Sequence, residues 1–304
     1  MLISLYNIKH TNSKKVSASF FLSDVLYFVK NFVLVINMKL IFLDIDGTLI
    51  PFGKAMPPES AVKAIEMARK NGHRVYLNTG RCRAEVQEEL VQLGFDGIIC
   101  SNSLYIEDEG KVCLQKDIPP ADVKRISDWL LQNHVGFFFE GHKSVAAVRL
   151  YFEQMGAKFG EKVLHDLEKS FPCIKEAELD YKGIAKINYV LHPGLIEKIK
   201  AEFGDDFQIN QWSLLGSDKG MGDITRKDAG KASGVRFIVE KLGVKVEDTF
   251  AFGDTAGDLP MVQVCGTGVA MGNAESGLKE GADYITGNVD ENGIFDAFRH
   301  FGLI

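Results

Sequence analysis

The sequence predicts an α/β fold, a doubly wound parallel sheet with an α+β segment inserted into it. Three observations carry this. Strand and helix patterns alternate regularly after residue 38. The apolar runs LIFL (40–43) and FAF (250–252) stop at Asp- and Gly-containing loops, as fully buried parallel strands do. The alternation loses its strand-end motifs from about residue 119 to about residue 216 and then returns.

The elements follow in order. LIFL is a central strand, and after a Pro/Gly loop PPESAVKAIEMARKNG has apolar positions at helical spacing, with Gly72 as its C-terminal cap. HRVYLNTG is a second strand ending at Thr79, and RAEVQEELVQLG (83–94) a second helix. GIICSNS is a third strand, and LYIEDEGKVCLQKDI a hairpin turning at Glu109-Gly110. In the inserted segment, helices such as ADVKRISDWLLQNH alternate with strand-like pieces such as VGFFFEG and GIAKINYVLH. The α/β rhythm resumes with the helix KASGVRFIVEKLGV, the strand and loop DTFAFGDTAGD, and two short strands in GTGVAMGNA and ADYITGNVDENG. The expected division is an extension over 1–37, a core from 38–118 and 217–304, and the α+β insertion over 119–216.

Composition bounds the function. The 304 residues are 46% hydrophobic and 25% charged, enough for a sizeable core in two domains or one domain with a large insertion. Against 41 acidic residues stand 35 basic ones, a net charge of -6 with no dense Lys/Arg run, which argues against nucleic acid and for small ligands. The five cysteines, at 82, 100, 113, 173 and 265, never form CxxC, so neither a disulfide framework nor a structural zinc site is expected, and a reducing cytoplasmic setting is. In SFFLSDVLYFVKNFVLVIN (19–37), Asp24 and Lys30 leave no run of about 18 uncharged residues such as a spanning helix needs. The preferred reading opens the functional protein at Met38; a signal-anchor and an amphipathic helix packed on the domain are the alternatives.

Four strand ends carry chemistry. Asp44 and Asp46 lie at i and i+2 of an extended segment, on one face, and Gly47 permits a tight turn. Like charges this close call for a metal or a proton role. An ordinary Asp-Gly turn is the plainer reading of DIDG alone. Thr79, with Gly80 after it, offers a hydroxyl and backbone N–H groups to an anion, or simply a helix cap. Lys231 heads a helix, where the dipole disfavours a cation unless an anion is held there; Lys227 is a rival four residues earlier. Asp254 and Asp258, after Gly253, present oxygen ligands suited to Mg²⁺, or a capped polar loop.

The ordered set DIDGT, TGR, a helical Lys and GDxxxD resembles the haloacid dehalogenase superfamily of phosphatases and phosphotransferases, over residues 39–304. The insertion between Thr79 and Lys231, with MGNA and ADYIT near the end, is similar to the Cof-type branch, which implies a Rossmann-like core bearing an α+β cap domain. The resemblance implies a phosphatase acting on small phosphorylated metabolites such as sugar phosphates. Asp44 would be the nucleophile and Asp46 the general acid/base. Thr79, Gly80 and Lys231 would hold phosphate, and Asp44, Asp46, Asp254 and Asp258 would hold Mg²⁺. One departure stands out: the family's usual GDxxND has Gly257 in the Asn place here. A phosphomutase would use the same aspartates, while a non-catalytic phospholigand sensor would be expected to lose one of them. Phe137, Phe138, His142 and Lys143 are candidates for the cap entrance, although an aromatic run at strand spacing is more often core.

Overall fold

The computed structural model describes residues 38–170, 172–212 and 220–304, and Lys39–Ile304 form one compact unit. The expectations for residues 1–37 and for the boundary at 216–217 lie outside the described residues.

The first part of the chain supplies β1 (Leu40–Leu43), α1 (Glu59–Lys70), β2 (Arg74–Asn78), α2 (Glu88–Val91), β3 (Gly97–Cys100), β4 (Tyr105–Asp108) and β5 (Lys111–Gln115). The inserted part supplies α3 (Pro120–Gln132), β6 (Phe137–Gly141), β7 (Val145–Val148), α4 (Arg149–Phe159), α5 (Glu161–Ser170), β8 (Cys173–Ile174), β9 (Ile184–Val190), α6 (Leu195–Phe203), β10 (Phe207–Trp212) and β11 (Met221–Arg226). The last part supplies α7 (Lys231–Leu242), β12 (Thr249–Gly253), α8 (Leu259–Val264), β13 (Thr267–Ala270), α9 (Ser276–Gly281), β14 (Tyr284–Ile285) and α10 (Gly293–His300).

The first sheet has the order β14-β13-β12-β1-β2-β3-β4-β5, parallel from β14 to β3 and closed by the antiparallel β4–β5 hairpin. The hairpin turns at Glu109 (φ 51°) and Gly110 (φ 71°), the two positive φ values that a tight primed turn requires. Successive strands are added on one side of β1, and β12 to β14 are added on the other. The strand order therefore reverses at β1, and in open parallel sheets that reversal is where ligands bind, at the carboxyl ends of the strands.

Every residue of LIFL is fully enclosed, as a central strand covered on both faces should be. Ile41 belongs to the core that gathers β1, β2, β3, β12, α1 and α10. Ile41→Val is expected to lower stability by about 1 kcal/mol, measured by urea unfolding, because one buried methylene is lost from a close-packed site.

The predicted helix over 83–94 is not continuous. A short 3₁₀ turn at Arg83–Glu85 ends at Val86, whose extended backbone (φ -86°, ψ 109°) puts its side chain into the core, and only Glu88–Val91 is α-helical.

The second sheet has the order β10-β11-β9-β6-β7-β8, antiparallel except for β7–β8. Phe137, Phe139, Ile187 and Ile224 of this sheet share a buried cluster with Ile126 and Leu130 of α3 and Ile199 and Phe203 of α6. The aromatic run is therefore core. His142 is also buried, with Nε2 2.9 Å from Asp117 and its ring stacked on Tyr105, while Lys143 is exposed. Because β11 pairs with β9 and β10, the chain rejoins the first sheet only after Arg226, later than the rhythm of the sequence implied.

Candidate active site

Asp44 leaves the end of β1 and stays buried, at 5% exposure, with its N–H donating to the Phe252 carbonyl of β12. Beyond it the chain coils so that the Leu49 and Ile50 N–H groups both donate to the Ile45 carbonyl. Gly47 is required in this turn: its φ is 79°, and a Cβ there would stand 2.2 Å from Asp254 Oδ2.

Lys231 is the first residue of α7 and buried. Its Nζ lies 2.5 Å from Asp44 Oδ1 and 2.5 Å from Asp258 Oδ1. The rival Lys227 points elsewhere, donating to the Asp205 carbonyl. Asp258 gives its other oxygen to the loop after β12, accepting from the N–H groups of Asp254 and Thr255 and from the Thr255 hydroxyl. Asp254 accepts from the Thr48 hydroxyl at 2.9 Å. Asp44, Asp254 and Asp258 thus bring carboxylate oxygens within 4.8 Å of one another.

The electrostatics follow from three buried acids facing one ammonium. Burial, then the charge of Asp258, push Asp44 up to about 8 against the pull of Lys231. Burial and Asp258 likewise push Asp254 up to about 7. Lys231 is desolvated, which opposes its charge, yet Asp44 and Asp258 outweigh that and move it upward. Hard oxygen ligands with surplus negative charge fit a divalent cation such as Mg²⁺.

Asp46 stands apart from this group. Its carboxylate is gripped by the Arg81 guanidinium, with Nε 2.9 Å from Oδ2 and Nη2 2.6 Å from Oδ1. Thr79 is buried at the end of β2, beside β1, and its hydroxyl accepts from the Arg81 N–H at 3.1 Å. Gly80 carries the carbonyl that Lys186 of β9 reaches at 3.3 Å.

Four contributors went unread in the sequence. Arg81 was visible as the third letter of TGR, and Thr48 as the last of DIDGT. Asn273 and Glu275, after β13, tie the two acidic loops: Asn273 Nδ2 donates to the Gly47 carbonyl, while the Glu275 carboxylate accepts from the Ala256 N–H and its own N–H donates to the Asp254 carbonyl. Gly257 is exposed and lies outside the positive-φ region, and a Cβ there would meet only Thr255 Oγ1 at 3.5 Å.

Known proteins resemble this chain in sequence and fold. The model of the haloacid dehalogenase-like hydrolases matches residues 41–298. The chain is similar to YkrA of Bacillus subtilis, 31% identical over 88% of this chain and 99% of that protein. It is also similar to the pyridoxal phosphate phosphatase YbhA of Escherichia coli, 26% identical over 82% of this chain and 93% of that protein. Among solved structures, the HAD subclass IIB sugar phosphatase BT4131 superposes with a TM-score of 0.72 at 28% identity, covering 88% of this chain and all of that one. With the family model spanning both sheets and phosphatases among the relatives matched along nearly their whole length, the chain belongs to the haloacid dehalogenase-like hydrolases, in their Cof-type branch, and is a phosphatase.

Proposed function

We propose that this phosphatase is Mg²⁺-dependent, acts in the cytoplasm and hydrolyses small phosphorylated metabolites, sugar-phosphate-like monoesters among them, through an aspartyl phosphate on Asp44. The observation that carries the reading is the Lys231 ammonium set 2.5 Å from the Asp44 carboxylate at the point where the strand order reverses. Names among the relatives, a pyridoxal phosphate phosphatase and a 5-amino-6-(5-phospho-D-ribitylamino)uracil phosphatase, support a small-metabolite class. No helix among the described residues is long and apolar enough to cross a membrane.

Asp44, Asp254 and the Asp46 carbonyl would hold the cation, which supplies charge neutralisation for an anionic nucleophile meeting an anionic substrate. Asp44 attacks phosphorus in line with the ester oxygen, forming the acyl phosphate as that oxygen leaves. Lys231, Thr79 and the Gly80 N–H hold the phosphoryl oxygens. Asp46 delivers a proton to the departing oxygen and then takes one from the water that hydrolyses the acyl phosphate. Arg81 limits where the Asp46 carboxylate can point, and the proton transfer requires its grip to loosen as substrate arrives. Asp258, with both oxygens engaged, positions Lys231 and the loop carrying Asp254.

Release of free phosphate from a panel of phosphorylated metabolites tests the reading. Return of the phosphoryl group to a second sugar, with no phosphate freed, would instead establish a mutase.

Gly257→Asn tests the metal loop. The backbone there accepts a side chain, and an added amide oxygen would stiffen the turn that carries Asp254. The Mg²⁺ concentration for half-maximal activity is expected to fall by roughly tenfold, the lower end of what a change of outer-shell partner does to metal affinity. An unchanged requirement in a well-folded variant would mean that the loop completes its metal shell without that position.

A further inference from the structure

The turn between β3 and β4 is strained. Ser101, Asn102 and Ser103 have φ values of 50°, 52° and 72°, three successive left-handed residues with no glycine among them. Asparagine tolerates that conformation, serine rarely adopts it, and glycine would relieve it at no steric cost. Such outliers persist where the surroundings hold them for a use.

The turn lies against the first turn of α7. The Gly230 N–H donates to the Asn102 carbonyl at 2.7 Å. Ser103, 3% exposed, reaches into the helix: its Oγ donates to the Gly230 carbonyl at 2.8 Å and accepts from the Gly234 N–H at 2.9 Å. Gly230 and Gly234 are four apart, the spacing at which an α-helix joins its own carbonyl and N–H. The Ser103 hydroxyl is therefore wedged into the first bond of α7. Gly234 leaves the room for it, since a Cβ there would stand 2.5 Å from Ser103 Oγ.

Lys231 is the residue these contacts fix. The carbonyl before it is held by Ser103, and its own carbonyl accepts from Asn78 Nδ2, at the end of β2, at 3.0 Å. The Asn102 N–H also donates to the Thr79 carbonyl at 3.1 Å, so one turn joins the Thr79 strand end to the head of α7. The chain path explains the need. β11 of the second sheet ends at Arg226, and only residues 227–230 separate it from Lys231. Without an anchor at Gly230, any displacement of the second sheet would pass along four residues to the ammonium.

We propose that Ser103 is a positioning residue for Lys231: its hydroxyl, wedged between Gly230 and Gly234, aims the ammonium at Asp44 and, with substrate bound, at the phosphoryl oxygens. The proposal rests on the phosphate-holding role given to Lys231 above and names what orients that group.

Ser103→Gly in the full chain tests it, with Ser233→Ala as the control. The Ser233 hydroxyl also donates to the Gly230 carbonyl, at 2.7 Å, but from the exposed side of the helix. Ser103→Gly should melt within a few degrees of the parent, because relief of the left-handed serine and direct bonding of Gly230 to Gly234 offset the lost hydroxyl. With Mg²⁺ present, its inhibition constant for inorganic phosphate should rise about tenfold and its kcat for p-nitrophenyl phosphate should fall about tenfold, within the hundredfold that a misplacement of about 1 Å can cost. Ser233→Ala should change neither. An inhibition constant does not depend on how much of a sample is folded, so a variant that loses only kcat, in proportion to its unfolded fraction, overturns the proposal in favour of packing. The ¹⁵N–¹H signal of the Lys231 ammonium, enclosed between two carboxylates in chelator-treated protein, reads its placement without turnover. It should shift or broaden in Ser103→Gly and stay in Ser233→Ala, and an unmoved signal overturns the proposal whatever the rates do. Ser103→Ala, which keeps the Cβ and lacks only the hydroxyl, decides by the same readouts if the glycine variant fails to fold. Should the parent release no phosphate from any ester, the hydrolytic reading fails, while the ammonium signal still decides what Ser103 does.

Discussion

Asp44→Asn is expected to lower kcat by roughly a thousandfold or more, since an amide of nearly the same size cannot form the acyl phosphate. The variant should still fold, and without divalent cations it should be the more stable protein near neutral pH. Folding raises the Asp44 pKa from the ordinary 3.8 to about 8, so in that interval the folded state keeps a proton that the unfolded chain has released. Stability from this group is therefore complete below the lower value and is lost as pH rises through the upper one. Asn does not titrate. In chelator-treated samples the variant should match the parent near pH 4 and melt above it near pH 8. Phosphate release and thermal melting measure the two halves. Substantial activity in Asp44→Asn would remove the covalent mechanism, and an unchanged pH dependence would remove the electrostatic account.

Lys231→Met is expected to damage both activity and stability. The ammonium joins Asp44 and Asp258, and its loss leaves two buried carboxylates without a cation. Breaking a buried pair in this way costs about 3–5 kcal/mol. Loss of a group that holds the phosphoryl oxygens in the transition state should lower kcat by roughly a hundredfold to a thousandfold. The loss of melting temperature should be smaller at pH 5 than at pH 8, because Asp44, pushed up to about 8 by burial and the charge of Asp258, is protonated at pH 5 and no longer needs the ammonium. A variant equally destabilised at both would mean that Lys231 acts through packing rather than charge.

The parts legible in the sequence are those whose signal is local. LIFL and the strand before Gly253 read as buried strands because both faces are covered, and Asp44, Asp254 and Asp258 after their ends lie beside one another. Where contacts between distant segments decide, the reading ran out. The periodicity of 83–94 suited a helix, but burial of Val86 and the Glu85 carboxylate on the Cys82 N–H divide it. MGDITR of β11 has no local mark of which sheet it joins, since β9 and β10 supply its partners. In IAKINYV, read as strand-like, Asn188 is polar yet fully enclosed, its Nδ2 donating to Glu140 of β6, a partner 48 residues away. Asp46 carries a type-level signal, but its pairing with Arg81, 35 residues on, belongs to the fold. Asp258 was readable as an acid of the metal loop, whereas its use as a brace between Lys231 and two backbone N–H groups was not.

The central place of β1 also has a consequence for how the chain is made. Leu40–Leu43 leave the ribosome early, and β2 can pair along one edge almost at once, but the other edge waits for Thr249–Gly253. Translation at about 5–20 residues per second puts roughly 10–40 seconds between them. During that time a wholly apolar strand has an open flank, which is a template for pairing with another chain. The intervening residues spend the interval completing a second sheet of their own, so the late segment returns to a nascent chain that has few loose apolar strands left to compete for the vacant edge.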